Sequence, residues 1–367
     1  MTSTSERPDE LARVAAPDEG ISVDELKLAA RNHGMPLEAL RYDLTPPGLH
    51  YLLVHYDIPY VDPASWRLSI GGAVERRIEL DLDAVRARPR VTHTVTLECA
   101  GNGRARFLPR PISQPWLDEA IGTAEWTGTP LAPILAEAGI APDAVDVVFT
   151  GHDHGTERGV EQDYARALSV ADATADDVLL AYEMNGAPLP PQHGAPVRLI
   201  APGWYGMAHV KWLRDIEVVR KQFTGFQNAT AYRLKQDADD PGEPVTRIRP
   251  KALVVPPGFP DFQTRRRIVE AGDVPLFGRT WSGTGTVTRV EVSTDGGASW
   301  LEAELGPRPG PYAWRSWRLT WQADARGDYE LCVRATNDRG ETQPVDQPWN
   351  RQGMANNMAQ RVDVTVR

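Results

Sequence analysis

Residues Thr284–Leu305 read TGTVTRVEVSTDGGASWLEAEL. Val290 and Val292 alternate with charged or polar neighbours, the pattern of a strand with one buried face. Asp295-Gly296-Gly297 then supplies a turn that accepts positive φ, and Trp300–Leu305 resumes the extended pattern. Strand, Asp-Gly-Gly and strand together predict a hairpin. Downstream, YAWRSWRLTWQA (312–323) alternates aromatic and polar residues, and GDYELCVRATND (327–338) does so less strictly. Short strands separated by turns at this spacing predict a β-sandwich of immunoglobulin type over residues 250–367. Cys332, between Leu331 and Val333, reads as one of its small buried hydrophobes.

Working back from the sandwich, Gln236–Pro260 is rich in proline and aspartate, which predicts a linker. Before it, residues 49–240 mix short strands with short helices. TPLAPILAEAG (129–139) predicts a helix closed by Gly139. DAVDVVFTGHD (143–153) and APVRLIAPGW (195–204) predict strands ending in loops. Scattered elements of both kinds predict an α+β domain and argue against a regular βαβ repeat. Residues 1–48 read as a polar tail followed by a short helix, SVDELKLAARNHG (22–34), with Ser22 as cap and Glu25 completing a capping box. No glycine-rich nucleotide loop is present, because GTGTVT (283–288) lacks the P-loop lysine.

The 367 residues carry a formal net charge of −10, which gives no electrostatic case for binding nucleic acid or an anionic membrane. With 41% apolar residues, the chain has enough hydrophobic material for sizeable cores. It shows no apolar run of membrane-spanning length and no export signal, so a cytoplasmic location is expected. Two cysteines cannot make a disulfide framework, which fits a reducing compartment. There is no CxxCH haem motif and no iron–sulfur cysteine set, so any redox chemistry needs an external electron acceptor that the sequence does not name.

The second cysteine is placed differently. In VTHTVTLECAGNGRARF (91–107) a strand delivers Cys99 into a glycine turn, with Arg104 five residues on. A buried core thiol is the ordinary reading. The flanking glycines, which allow a ligand to approach the backbone, and an arginine able to hold a thiolate ionised favour a nucleophilic or metal-ligating sulfur. A hydrolase would need a histidine base, and none of the eight histidines is marked out locally. Zinc with His152 and His154 has no recognised spacing. A soft thiolate also suits a heavier metal carried by an organic cofactor.

CAGNGR (99–104) resembles the cysteine loop of the sulfite oxidase family. The resemblance continues through AEWTGTPLAPILAEAG (124–139), LLAYEMNGAPLPPQHGAPVRLIAPGWYGMAHVKWL (179–213) and PWNRQGMANN (348–357), in the family's order, and spans about Leu49 to Arg367. It implies a molybdopterin-dependent oxidoreductase without haem, built from a mixed α+β molybdopterin domain and an immunoglobulin-like dimerisation domain. Cys99 then matches the molybdenum ligand, and His55 a histidine that contacts the pterin. Asp153, His193, Arg198 and Lys211 match further pterin or phosphate contacts. Arg104, Tyr232 and Trp116 match residues of the substrate pocket. The implied reaction is oxygen-atom transfer to sulfite, with electrons passed on and the protein working as a homodimer. Competing readings are an oxidoreductase for another oxyanion or oxo compound, and a cofactor-binding protein with little turnover.

Two departures stand out from the family pattern. Leu53 occupies a place where sulfite-oxidising members carry an arginine two residues before the pterin histidine. Gln352 occupies another, with Arg351 one residue earlier. Each lost cation removes charge-assisted hydrogen bonds of roughly 1.5–3 kcal/mol. Arg351, Arg106 and Arg233 are the candidates for compensation.

Overall fold

The computed structural model describes residues 13–367, and the first part of the expected tail lies outside the described residues. The helix Val23–Arg31 begins as its sequence requires: Ser22 accepts from the Glu25 N–H, and the Glu25 carboxylate accepts from the Ser22 N–H, a complete capping box. The helix Leu131–Ala138 ends at Gly139, whose φ of 72° is the left-handed stop that glycine permits.

The first half of the chain builds two sheets. One has the strand order Ile78–Leu80, Leu68–Gly72, Leu213–Val219, Asp146–Glu157, Val160–Ser169. The other runs Val91–Glu98, Ile121–Pro130, Leu179–Met184, Ala187–Pro188, with Arg198–Ile200 also paired to Leu179–Met184. The fold is thus mixed, with few short helices and many strands. Helix Leu131–Ala138 buries Leu131, Ile134 and Leu135 in the core below the sheets.

In the second half, Thr284–Leu305 forms the expected hairpin, with Glu291 opposite Glu302 and Val292 opposite Leu301. Its paired strands, Val287–Ser293 and Leu301–Glu302, belong to a six-stranded sheet that faces a four-stranded one across a shared core, and Glu304–Leu305 crosses to the latter. Val290, Val292, Leu331 and Val333 come from the first sheet, and Leu276, Trp317 and Trp321 from the second. Cys332 is buried but points away from that core, under Arg361, because it alternates with Leu331 and Val333.

The stretch read as a linker is only partly one. Val245 and Ile248 are buried, and Lys251–Val254 is a fully buried strand paired with Gly272–Trp281. Its alternation divides it between two cores: Ala252 and Val254 pack within the sandwich, while Leu253 and Val255 join the core of the first half. Trp281 and Trp314 also join that first core. The two halves are therefore interlocked. Further ties are Arg279 donating to the Leu40 carbonyl (2.8 Å) and the Trp314 indole donating to the Asp43 carbonyl (2.7 Å).

Candidate active site

Strand Val91–Glu98 pairs with Ile121–Pro130 up to Glu98 opposite Ile121, and Cys99 follows immediately. The Cys99 N–H donates to the Ala120 carbonyl (2.9 Å), and the Asn102 N–H donates back to the Cys99 carbonyl (2.9 Å). These two bonds fold residues 99–104 into a tight loop. Glycine is required twice. A Cβ on Gly101 would sit 2.5 Å from the Arg104 guanidinium, and Gly103 has a φ of 83° and lies against Asn356. Asn356 donates to the Gly103 carbonyl (2.8 Å), so a segment from the far end of the chain clamps the loop.

Beneath the loop lies a buried ion pair. Glu98 and Lys251 have 1% side-chain exposure each and meet at 3.0 Å. The carboxylate also accepts from Asn102 (3.0 Å) and the Trp281 indole (2.8 Å), while Lys251 also donates to the Asn356 carbonyl (3.1 Å). All its oxygens are therefore satisfied, as a buried charge requires.

Cys99 stands where two cavities meet. On one side is a narrow cleft with about 60 Å³ of free space, lined by His55, Asp153, His193, Arg198, Lys211 and Tyr232 among others. On the other is a pocket of about 670 Å³ that contains Arg104, Trp116, Arg158, Arg351 and Gln352. His55, Leu53 and Tyr232 line both. Cys99, the five residues matched to cofactor contacts and the three matched to the substrate pocket thus each border one cavity or the other.

The cleft is rich in cations and poor in anions. Lys211 donates to the Leu53 carbonyl (2.8 Å), and Arg198 donates to the carbonyls of His193 (2.9 Å) and His209 (3.1 Å). Asp153 is the only carboxylate among the described lining residues. Burial pushes Lys211 down and Asp153 up, and it lowers Arg198 to about 10. Burial also holds the imidazoles neutral: His50 and His55 are lowered to about 4, His209 to about 3 and His193 to about 2. His209 accepts from the Ala201 N–H at Nδ1 and so donates from Nε2 to the Trp204 carbonyl (3.0 Å). Several buried polar atoms have no partner, among them His50 Nε2, Asp153 Oδ1 and Arg198 Nε. Such orphans are rare in native structures and point to a missing hydrogen-bonding ligand.

Tyr232 ends a single π-helical turn, Gln227–Ala231, a device often found at functional sites. Its hydroxyl shares a 2.7 Å hydrogen bond with His55 Nε2. In the pocket, burial raises the Cys99 thiol pKa against the pull of Arg104. Arg104 itself is 5% exposed and donates to the Gln352 carbonyl (3.0 Å), the Gln114 carbonyl (3.1 Å) and Met354 Sδ (3.3 Å). The Trp116 indole N–H, buried beside it, meets no nitrogen or oxygen acceptor and has the Cys99 thiol as its polar neighbour. Of the candidate compensating arginines, Arg351 borders the pocket. Arg106 instead pairs with Asp118, and Arg233 donates to the Gly242 carbonyl (2.6 Å) and the Pro241 carbonyl. His154 turns outward to Asp163 and Glu161, and among the described residues no cluster of three or more His, Cys, Asp or Glu side chains is arranged to hold a metal. Sequence reading missed His50, His209, Tyr164 and Arg158. Neutral buried histidines leave no pattern of their own, although His209 lies in the quoted HVKWL block.

Residues 55–227 match the oxidoreductase molybdopterin binding domain, and residues 260–367 match the Mo-co oxidoreductase dimerisation domain. The sulfite oxidase of Gallus gallus is 36% identical over 328 residues, covering 85% of this chain and 71% of that protein. The chain belongs to the sulfite oxidase family. Within this family, the mitochondrial sulfite oxidase of Mus musculus is also 36% identical, over 340 residues and 88% of this chain. The chain spans 62% of that protein's length. A nitrate reductase of Oryza sativa is 30% identical over 88% of the chain and 38% of its own length. Among solved structures, the sulfane dehydrogenase SoxCD of Paracoccus pantotrophus superposes with a TM-score of 0.79 at 25% identity. That match covers 100% of this chain and 98% of the other. The donor set of the cleft fits the family's cofactor: buried Arg198 and half-buried Lys211 face a single carboxylate, Asp153, and one imidazole, one carboxylate and one guanidinium atom are left unpartnered. The cleft's lining side chains would have to part to admit it.

Proposed function

We propose that this chain holds molybdopterin with its molybdenum at Cys99 and oxidises sulfite to sulfate, passing the electrons to an external acceptor. The observation that carries this reading is the position of Cys99, between a cleft in which Arg198 and Lys211 outnumber the one carboxylate, Asp153, and a larger pocket lined by Arg104, Arg158 and Arg351. When bound, the metal supplies two-electron oxygen-atom transfer: sulfite plus water gives sulfate, two protons and two electrons. The chain's own residues bind and orient. Arg198 and Lys211 hold a phosphate, which would restore the positive charge that burial disfavours. His55, Asp153 and His193 meet the pterin edges. Three of the five N–H groups of Arg104 are committed to protein acceptors, which leaves two for a substrate oxygen. Tyr232 and the Trp116 indole are further donors facing the anion.

A second reading, an oxidoreductase for a less charged oxyanion or oxo compound, is favoured by Leu53 and Gln352 on the pocket wall and by the nitrate reductase among the relatives. Division into a catalytic domain at 49–240 and an immunoglobulin-type domain at 250–367 belongs to the first reading, as does homodimer formation through the latter. Two sheets facing across one core and the dimerisation-domain match support these points. The test is elemental analysis followed by sulfite-dependent reduction of ferricyanide. The expected result is one molybdenum per chain and sulfite-driven turnover. A molybdenum-loaded protein that leaves sulfite untouched with several acceptors would favour the second reading.

A further inference from the structure

Strands Asp146–Glu157 and Val160–Ser169 are joined by a two-residue turn, with Glu157 paired to Val160. The turn residues, Arg158 and Gly159, have φ of 50° and 75°. Two consecutive positive φ values make a mirror-image hairpin turn, whose first position favours asparagine, aspartate or glycine. Arginine gains nothing from this backbone, and a residue held in a sparsely populated conformation is a pointer to function. Its side chain borders the pocket beside Cys99 and makes no hydrogen bond or ion pair among the described residues. Its guanidinium lies over the Phe226 ring, 6.0 Å from the centroid. The Arg351 side chain borders the same pocket and is also without such a partner. The positive charges of Arg104 and Arg351 both act on Arg158, and Glu157 is the neighbouring carboxylate. Three arginines from three separate parts of the chain therefore line one pocket of about 670 Å³.

We infer that Arg158, with Arg351, forms the oxyanion-recognition site of the pocket and supplies the positive charge that Leu53 and Gln352 do not. This rests on the proposed oxyanion chemistry and names the residues that would select the anion. Three guanidinium groups facing one shared carboxylate, Glu157, keep a net positive charge that an arriving anion offsets, and a guanidinium can meet two of its oxygens at once. Arg104 lies beside the thiol and orients the reacting end, whereas Arg158 reaches in from the hairpin tip and captures charge.

The test uses molybdenum-loaded protein at low ionic strength and two readouts, sulfate binding by calorimetry and steady-state sulfite oxidation. Arg158→Asn keeps a residue that this turn accepts, so the fold is preserved. The variant should bind sulfate about 10- to 100-fold more weakly, the size expected for losing one charge-assisted hydrogen bond. Its KM for sulfite should rise by a similar factor while kcat changes little, the mark of binding lost equally from ground and transition states. Arg158→Lys should recover part of the loss. If wild-type protein binds sulfate and Arg158→Asn binds it equally well, the inference falls and the proposed function stands. If wild-type protein binds neither sulfate nor sulfite, both fall.

Discussion

Replacing Lys251 with methionine tests whether the ion pair beneath the cysteine loop holds that loop in place. Both partners are 1% exposed, so neither can turn to water when the other is removed. In the variant, Glu98 keeps its bonds from Asn102 and Trp281 but loses its cation. Breaking a buried pair from one side costs about 3–5 kcal/mol. At about 2–4 °C per kcal/mol, the melting temperature should fall by about 6–20 °C. Glu98→Gln should cost a similar amount by stranding the ammonium. The double variant, Glu98→Gln with Lys251→Met, leaves no charge behind and should recover most of the loss, because neutral replacements of buried pairs are often tolerated. Urea midpoints and thermal melts of the four proteins give the coupling energy, which should exceed about 2 kcal/mol. A Lys251→Met protein within about 1 kcal/mol of wild type would refute the argument, as would a double variant whose loss equals the sum of the singles. Molybdenum content measured alongside would show whether the loop still presents Cys99.

Stability of the cofactor-free protein should be pH-dependent through three buried histidines, His50, His193 and His209, and the half-buried His55, whose pKa values desolvation has lowered to between about 2 and 4. Between pH 6.5 and about 4 the unfolded chain binds protons on these rings and the folded chain does not. Stability is therefore full above that window and falls as pH drops, by up to about 1.4 kcal/mol per ring per pH unit. A flat urea midpoint from pH 7 to 5 would contradict this. Cys99→Ser should abolish turnover while leaving the circular dichroism spectrum unchanged; full turnover would remove the thiol from the mechanism. Leu53→Arg should lower the KM for sulfite about tenfold, on the scale of one charge-assisted hydrogen bond. An unchanged KM with an unchanged melt would show that the new cation does not reach the anion.

The sequence made the hairpin at 284–305 and the helix caps legible because turn chemistry and capping are local. It also made the cysteine loop legible, because Gly101 answers to Arg104 three residues on and Gly103 to its own positive φ, although Asn356, which lies against Gly103, is 253 residues away. Arg158 was not legible. In GTERGV it reads as one more charge at an exposed turn, and only the fold shows that the turn lines the same pocket as Cys99. Lys251 was hidden for the opposite reason. Proline and aspartate around it signal a linker, yet its partner is 153 residues away in another strand. Local composition carries no information about a pairing of that range.

The roof of the pocket is borrowed from the far end of the chain. Gln352 and Asn356 grip Arg104 and Gly103, partners separated by 248 and 253 residues. During synthesis, at about 5–20 residues per second, the loop would leave the ribosome some 10–50 seconds before the segment that clamps it. Through that interval Cys99 sits in an unclamped loop, and the larger pocket in front of it lacks the wall that Arg351, Gln352 and Met354 later supply. A cofactor that enters from that side has its easiest path then. Loading would thus compete with a clock set by translation, and slowing the synthesis of residues 250–350 should raise the fraction of chains that acquire metal.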